Sequence, residues 1–446
     1  MLYTLQLPFT STLHEGVPME TKEMNEKLTL VGAGTPMGEL LRRYWWPIAA
    51  SAELVENPIR SVRILGEDLT LYKDEQGRVG LVGQRCPHRR MDLQFGIPEL
   101  EGLRCAYHGW MFDQTGQCIE MPAEPEGSTF KDRVRIPAYP AEELGGLVFA
   151  YLGPAPAPLL PKWDLYVMDH VVRQIGVSDV PCNWLQCMEN SVDQVHTEWL
   201  HGHMYWYQLK RKGIDPGTRS AKNFLRQHKK TAFEPFEYGI LKRRLVEGQP
   251  EESEEWRFGH PLVFPDKVRI GGAASGRYEF QIRVPVDDTH TRHYSYQCYD
   301  PGPGVELPKQ DVIPYFDVPL KDEEGNYIFD YILSQDMVAW WAQGLIVDRD
   351  HEKLGESDKG VILFRRMLKQ QMDVVAQGGE PMNVFRDPAQ NDYIRLAPDV
   401  SKLTPEEALG FQHTRLSFTT LRDGPTGRYG VIYDQLEELG AGRTQA

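Results

Sequence analysis

Positive charge is what this sequence is short of. Its 446 residues carry 49 Lys+Arg against 64 Asp+Glu, a formal net charge of −15 at pH 7. That balance argues against a broad cationic face for nucleic acid or an anionic membrane surface. Long apolar runs are missing as well. No uncharged stretch approaches the roughly 18 residues that a membrane-spanning helix needs. The start, from Met1 to Pro8, has neither a basic region nor a continuous apolar one, so it makes a poor secretion signal. Cysteine is scarce: six in the chain, too few for a disulfide framework. That usage fits a reducing compartment and predicts a cytoplasmic protein. There is no internal repeat and no low-complexity tract longer than a linker. What is present, 41% hydrophobic and 25% charged residues, is the composition of a folded chain long enough for two or three domains.

From about Arg60 to Gly153 the pattern is short and strand-like. Val62–Leu65 and Leu69–Tyr72 are separated by Gly66-Glu67-Asp68, and Val79–Val82 follows a turn at Asp74–Gly77. Leu147–Leu152 follows Gly145-Gly146. Such runs predict a small antiparallel sheet or barrel. A Pro-rich spacer, from Gly153 to Pro161, then marks a boundary. The expected division is an arm over 1–40, a β domain over 41–155 and a catalytic domain over 156–446. In the last part, Asn183 is placed to cap a helix whose apolar positions run Leu185, Met188, Val192, Val195 and Trp199. Trp256–Ile270 and Tyr278–Tyr299 read as strands, with a turn at Asp287-Asp288. Ser334 opens a short helix that Gly344 stops, and Ser357 opens a longer one ending near Gly378-Gly379. Strands and helices in one segment predict an α+β domain.

Two of the six cysteines stand beside histidines, in Cys86-Pro87-His88 and Cys105-Ala106-Tyr107-His108, with sixteen residues between the pairs. Four such donors on neighbouring loops suit either a Cys2His2 zinc site or a Rieske [2Fe-2S] cluster, in which two thiolates hold one iron and two imidazoles the other. Cys118, Cys182, Cys187 and Cys298 are expected to be buried apolar residues.

A second group lies downstream. Asp193 and His196 are three apart and share a helical face. His201 is five beyond His196, about 140° further round an α-helix, so the helix must end or unwind near Trp199, which Gly202 permits. Two histidines need a carboxylate to complete a facial triad that leaves positions open on Fe(II). Asp193 is one candidate, although on the same turn it can instead hold a histidine from behind. Asp336, in an aromatic-rich helical stretch, is a better one, and Asp348, Asp350 and Asp358 compete with it.

Together, and in this order, the two groups resemble the terminal oxygenase (α) subunit of the Rieske non-heme iron aromatic-ring oxygenases. The resemblance runs from Gly32–Gly38 and Arg43-Tyr44-Trp45 to Arg365-Arg366. It is nearest the phthalate 4,5-dioxygenase-like branch, on Gly66–Leu69, Cys86–Arg89, Arg104–Trp110 and Cys182–Gln186. Within that branch, Glu189–His196 and Trp256–Pro261 look more like the aryl O-demethylases, such as those acting on 5,5'-dehydrodivanillate. The resemblance implies an all-β Rieske domain followed by a helix-grip α+β domain built on an antiparallel sheet. It implies that Cys86 and Cys105 bind one cluster iron, His88 and His108 the other, and His196, His201 and Asp336 a mononuclear iron. Asp193 would bridge the two metal centres, between His196 and His108 of an adjacent chain, in a head-to-tail homotrimer or a dimer of trimers.

The implied reaction is reductive O2 activation on an aromatic carboxylate. The preferred form is O-demethylation with formaldehyde release, and the alternative is phthalate-type ring dihydroxylation. Electrons would come from NAD(P)H through a separate reductase or ferredoxin, because this chain has no Gly-rich dinucleotide fingerprint. A Rieske electron carrier and a zinc-stabilised binding protein are the non-oxygenase alternatives. Local charge bears on the substrate: Lys210–Arg244 holds eleven Lys/Arg and three acids, net +8, leaving −23 elsewhere. The segment is either a solvated or partner-docking face, or it sends Arg219, Arg226 or Arg244 into the pocket to pair with a carboxylate.

Overall fold

The computed structural model describes residues 21–213, 224–272, 277–300, 307, 309–329 and 332–396. The first part of the chain folds as three small sheets. One joins Trp45–Ala50, Leu147–Tyr151 and Ala141–Leu144; the second joins Ile59–Ile64, Glu67–Lys73, Val79–Gly83 and Ala138–Tyr139. The third, of Ile97–Glu99, Gly102–Arg104, Met111–Phe112 and Cys118–Glu120, stacks on its neighbour through Tyr72, Val82, Leu103 and Phe112.

The first hairpin turns at Leu65-Gly66 rather than at Gly66-Glu67-Asp68. Both residues have positive φ, 49° and 79°, as a two-residue turn that follows the strand twist requires. Leucine is disfavoured there, but Leu65 is fully buried and its amide donates to the Pro285 carbonyl, as Gly66 donates to Val286. The hairpin tip is thus pinned to the second part of the chain. One apolar core, from Leu28 to Leu396, runs through both parts.

The second part is organised by an eight-stranded sheet in the order His228–Phe236, Gly239–Val246, His260–Val263, Lys267–Gly272, Arg277–Asp287, His290–Tyr299, Val172–Val180, Tyr315–Asp317. It is antiparallel except for its last pair, which is parallel. Period-2 alternation sends Phe280, Ile282, Tyr294 and Tyr296 into the main core and Gln281, Arg283, His293 and Ser295 to the opposite face. These polar side chains are buried too.

Three boundaries differ from expectation. The helix capped by Asn183 is Trp184–Val192, and it does not continue to Trp199. Asp193 adopts an extended conformation, and its carboxylate accepts from the amides of Val195 and His196, so it starts a new turn instead of prolonging the old one. Trp256 and Arg257 lie in a short helix, Glu254–Arg257, not a strand, because both amides donate to the Ser253 carbonyl. The helix assigned to Ser334 spans Ile332–Ala342, so Ser334 lies inside it rather than at its cap. The next long helix is Lys359–Ala376, followed by Gly378 at φ 79°.

Glu189 locks the helix Trp184–Val192 to Lys359–Ala376. It pairs with Arg349 at 2.7 Å and Arg365 at 2.6 Å, both buried, and Arg365 also holds Glu352. Asn183 donates to the Thr29 carbonyl, so the helix Lys22–Thr29 is fastened to the same assembly.

Candidate functional site

The two Cys/His loops have the same backbone design. In each, the cysteine carbonyl accepts from the fourth residue on, Arg90 onto Cys86 and Gly109 onto Cys105. In each, the cysteine amide donates to the fifth residue on, Met91 or Trp110. The fourth residue is left-handed in both, Arg90 at φ 63° and Gly109 at φ 77°. Two equivalent loops therefore present their side chains to one place. The His88 and His108 rings are 4.4 Å apart, and His88 stacks on Trp110 at 4.6 Å. Cys86 and Cys105 are buried while His88 is exposed. Burial pushes the Cys86 thiol up to about 12, against a hydrogen bond from the His88 amide. Two buried thiols below two imidazoles nearer solvent fit the mixed sulfur and nitrogen ligand set of a Rieske cluster.

The second group closes around Asp336. After Asp193 the chain makes a short helix, His196–Glu198, and then a π-helical turn, Trp199–Met204. The π turn unwinds the helix near Trp199, one of the two expected ways of bringing His201 round to His196. Their rings lie 5.1 Å apart. Gly202 serves a close approach rather than a break: a Cβ there would sit 2.4 Å from the Phe224 carbonyl oxygen. That approach brings the Phe224 ring to 5.8 Å from His201.

Each imidazole is held by its Nδ1. His196 Nδ1 is 2.9 Å from Asp193 Oδ2, and His201 Nδ1 is 2.8 Å from Gln335 Oε1, whose amide donates to the Phe329 carbonyl. Both Nε2 atoms consequently turn to Asp336 Oδ1, at 3.7 Å for His196 and 3.2 Å for His201. Asn190 Nδ2 donates to the same oxygen at 3.3 Å. The three ligand atoms lie within 4.8 Å of one another. Burial would raise the Asp336 carboxyl, but His201 and His196 outweigh it and hold it at about 2. Asp193 is likewise at about 2, burial being outweighed by its bonds to His196 and Val195. Two imidazoles with Nδ1 tied behind and Nε2 forward, facing an ionised carboxylate, are a facial ligand set for a divalent metal.

The competing aspartates lie elsewhere. Asp348 and Asp350 flank the exposed His351, and Asp358 Oδ2 accepts from the Gly355 amide. Arg349, between the first two, belongs to the Glu189 network.

Beside the triad is a cavity of about 310 Å³ lined by Thr197, Phe224, Arg226, His228, Arg244, Val246, Gln249 and Glu255. Arg226 is in this lining and makes no ion pair among the described residues. Arg244 reaches it already engaged, bidentate on Glu255 at 3.0 and 3.1 Å and donating to Thr197 Oγ1. Arg219 lies outside the described residues. Phe224 is the aromatic residue of this lining, while Tyr207 is exposed and Trp340 is buried. All of Cys118, Cys182, Cys187 and Cys298 are buried, as expected.

Sequence reading missed the polar face of the large sheet. Lys242, Arg283 and His293 are buried, with Arg283 5.1 Å and His293 5.5 Å from the Trp340 ring. Burial, then Arg244, lowers the Lys242 ammonium to about 7. It also missed Glu198 and His228, whose side chains meet at 2.9 Å. Alternating polar residues at 279, 281 and 283 and at 293, 295 and 297 were the available signal.

Residues 44–140, which contain both Cys/His loops, match the Rieske [2Fe-2S] domain. Over 382 residues the chain is 42% identical to the 5,5'-dehydrodivanillate O-demethylase oxygenase subunit of Sphingobium sp., covering 85% of this chain and 86% of that one. The chain belongs to the Rieske oxygenases. It is similar also to the phthalate 4,5-dioxygenase oxygenase subunit of Pseudomonas putida, 33% identical over 81% of this chain and 88% of that one. The terminal oxygenase of carbazole 1,9a-dioxygenase from Novosphingobium sp. KA1 has the same fold, with a TM-score of 0.55 at 20% identity, over 78% of this chain and 94% of that one. This Rieske oxygenase is the oxygenase subunit of a multicomponent enzyme, and such subunits work with a ferredoxin or reductase. Among the described residues it has no helix long and apolar enough to cross a membrane.

Proposed function

We propose that this oxygenase removes a methyl group, as formaldehyde, from a methoxylated aromatic acid, in the cytoplasm and with electrons that reach it from NAD(P)H. The observation that carries the reading is the triad itself: His196, His201 and Asp336 converge with both Nδ1 atoms occupied, next to a cavity lined by Arg226, an arginine without an ion pair among the described residues. These three would hold a mononuclear Fe(II), and Cys86, Cys105, His88 and His108 the cluster. With both loaded, the cluster supplies electrons and the iron supplies O2 activation at its open positions.

The chain's own residues do the rest. Gln335 and Asp193 fix the imidazole orientations, and Arg226 pairs with the substrate carboxylate. Phe224 and Val246 offer apolar faces to the ring. The matched span 44–140 falls within the expected β domain 41–155 and supports the division there, with the arm 1–40 and the catalytic domain 156–446 on either side. Exposed His88 and partly exposed Asp193 support a head-to-tail homotrimer, or a dimer of trimers, in which Asp193 joins His196 to His108 of a neighbouring copy.

The test is an assay of the purified protein with reductase, NADH and a panel of methoxylated aromatic acids. Formaldehyde with the matching phenol is expected. A cis-dihydrodiol from a phthalate-type acid would replace this reading with ring dihydroxylation, the activity suggested by the 33% relative.

A further inference from the structure

His228 enters the large sheet at its first edge strand and lines the cavity beside the triad. Its Nδ1 lies 2.9 Å from Glu198 Oε2, and its backbone amide donates to the same oxygen at 2.8 Å. A carboxylate only accepts, so this contact fixes a proton on Nδ1, and in the neutral ring the Nε2 lone pair is then the free acceptor. The side chain is 8% exposed, and Nε2 is buried with no hydrogen-bond partner among the described residues. A buried acceptor without a donor is costly, and natural sites keep one where a ligand supplies the donor.

The surroundings limit what that ligand is. Phe224 and Val246 make apolar walls, and the Phe224 ring is 5.8 Å from the His201 ring, so a flat ring held between them lies close to the triad. Arg244 is engaged by Glu255 and Thr197, which leaves Arg226 for an anionic group. We infer that His228, oriented by Glu198, accepts the hydroxyl hydrogen of a phenolic aromatic acid in this cavity and so selects phenols over rings lacking that hydroxyl. His228 is a specificity-determining residue and Glu198 a positioning one. The inference rests on the proposed oxidation of methoxylated aromatic acids, but its test reads binding, not turnover.

Vanillate, with a hydroxyl beside its methoxy group, and 3-methoxybenzoate, which lacks it, are titrated into the iron-loaded full chain by calorimetry. Wild type is expected to bind vanillate at least about tenfold more tightly. In H228L the ratio of the two affinities falls to about one, and E198Q lowers it part of the way. H228Q, which returns an acceptor, recovers some of the preference and serves if H228L does not fold. Equal affinities in wild type, no binding of either acid, or an unchanged ratio in H228L and H228Q overturns the inference. Formaldehyde release from either acid is measured alongside. If it is absent while the His228-dependent ratio persists, the demethylation reading fails alone; if it is present without the ratio, only the role of His228 falls.

Discussion

His201 Nε2 faces Asp336 Oδ1 at 3.2 Å, and the residue before that aspartate holds the other side of the same ring. The helix Ile332–Ala342 therefore supplies both the hydrogen bond that orients the imidazole and the carboxylate it faces. The site's geometry depends on how that helix docks on Trp184–Val192, and Gln186, which donates to the carbonyls of Trp340 and Gly344, fixes the docking.

D336N should abolish the third ligand. Iron per chain is expected to fall by about one from roughly three while the visible spectrum of the cluster stays, with oxidised product lost. Q335L removes only the support behind His201, and about 10–100-fold weaker iron retention is expected. Metal analysis with absorption spectra checks both.

D193N should leave both metals bound, because the asparagine keeps an oxygen that accepts from His196 Nδ1 and removes only the charge. Single-turnover electron transfer from the reduced cluster should slow sharply in stopped-flow experiments. Normal turnover by this variant would remove Asp193 from the electron path.

G202A forces a methyl group against the Phe224 carbonyl, 2.4 Å from where a Cβ would lie. The π turn or the 224 backbone must shift, at a cost of about 1–3 kcal/mol. A lower melting temperature together with weakened iron retention is expected. A variant with wild-type melting and iron content would show that the close approach is dispensable.

E189Q leaves two buried guanidinium groups short of their anion, and a loss of about 3–5 kcal/mol in unfolding free energy is expected. Burial alone would raise the Glu189 carboxyl, but Arg349 and Arg365 outweigh it and hold it below the usual range. A depressed folded-state pKa contributes stability above the unfolded carboxyl pKa, about 4.3 for glutamate. That contribution fades as pH falls below this value. Melting curves from pH 7 downward should drop more steeply for wild type than for E189Q.

Much of the cluster site was legible because it is local. Each Cys/His pair sits on one short loop, so spacing alone brings thiol and imidazole together, and the same turn geometry appears twice. The histidine pair was legible for the same reason, and of the two expected possibilities near Trp199, an end or an unwinding, the chain takes the second, a π turn. Asp336 stood among five candidate aspartates until folding separated them. Asp348, Asp350 and Asp358 have surface or capping partners, and only Asp336 faces both imidazoles.

The basic segment shows the other limit. Composition marked Lys210–Arg244 as cationic but could not say which side chains turn inward. Packing decides that: the short helix Glu254–Arg257 sets Glu255 against Arg244, cancels it as a free anion site, and leaves Arg226 and His228 at the cavity. By itself the sequence determined the donor atoms, because ligand chemistry is carried by residue type and short spacing within single turns. Tertiary structure alone decided the third carboxylate and the polar wall of the cavity, because those groups meet only when distant helices and strands are packed together.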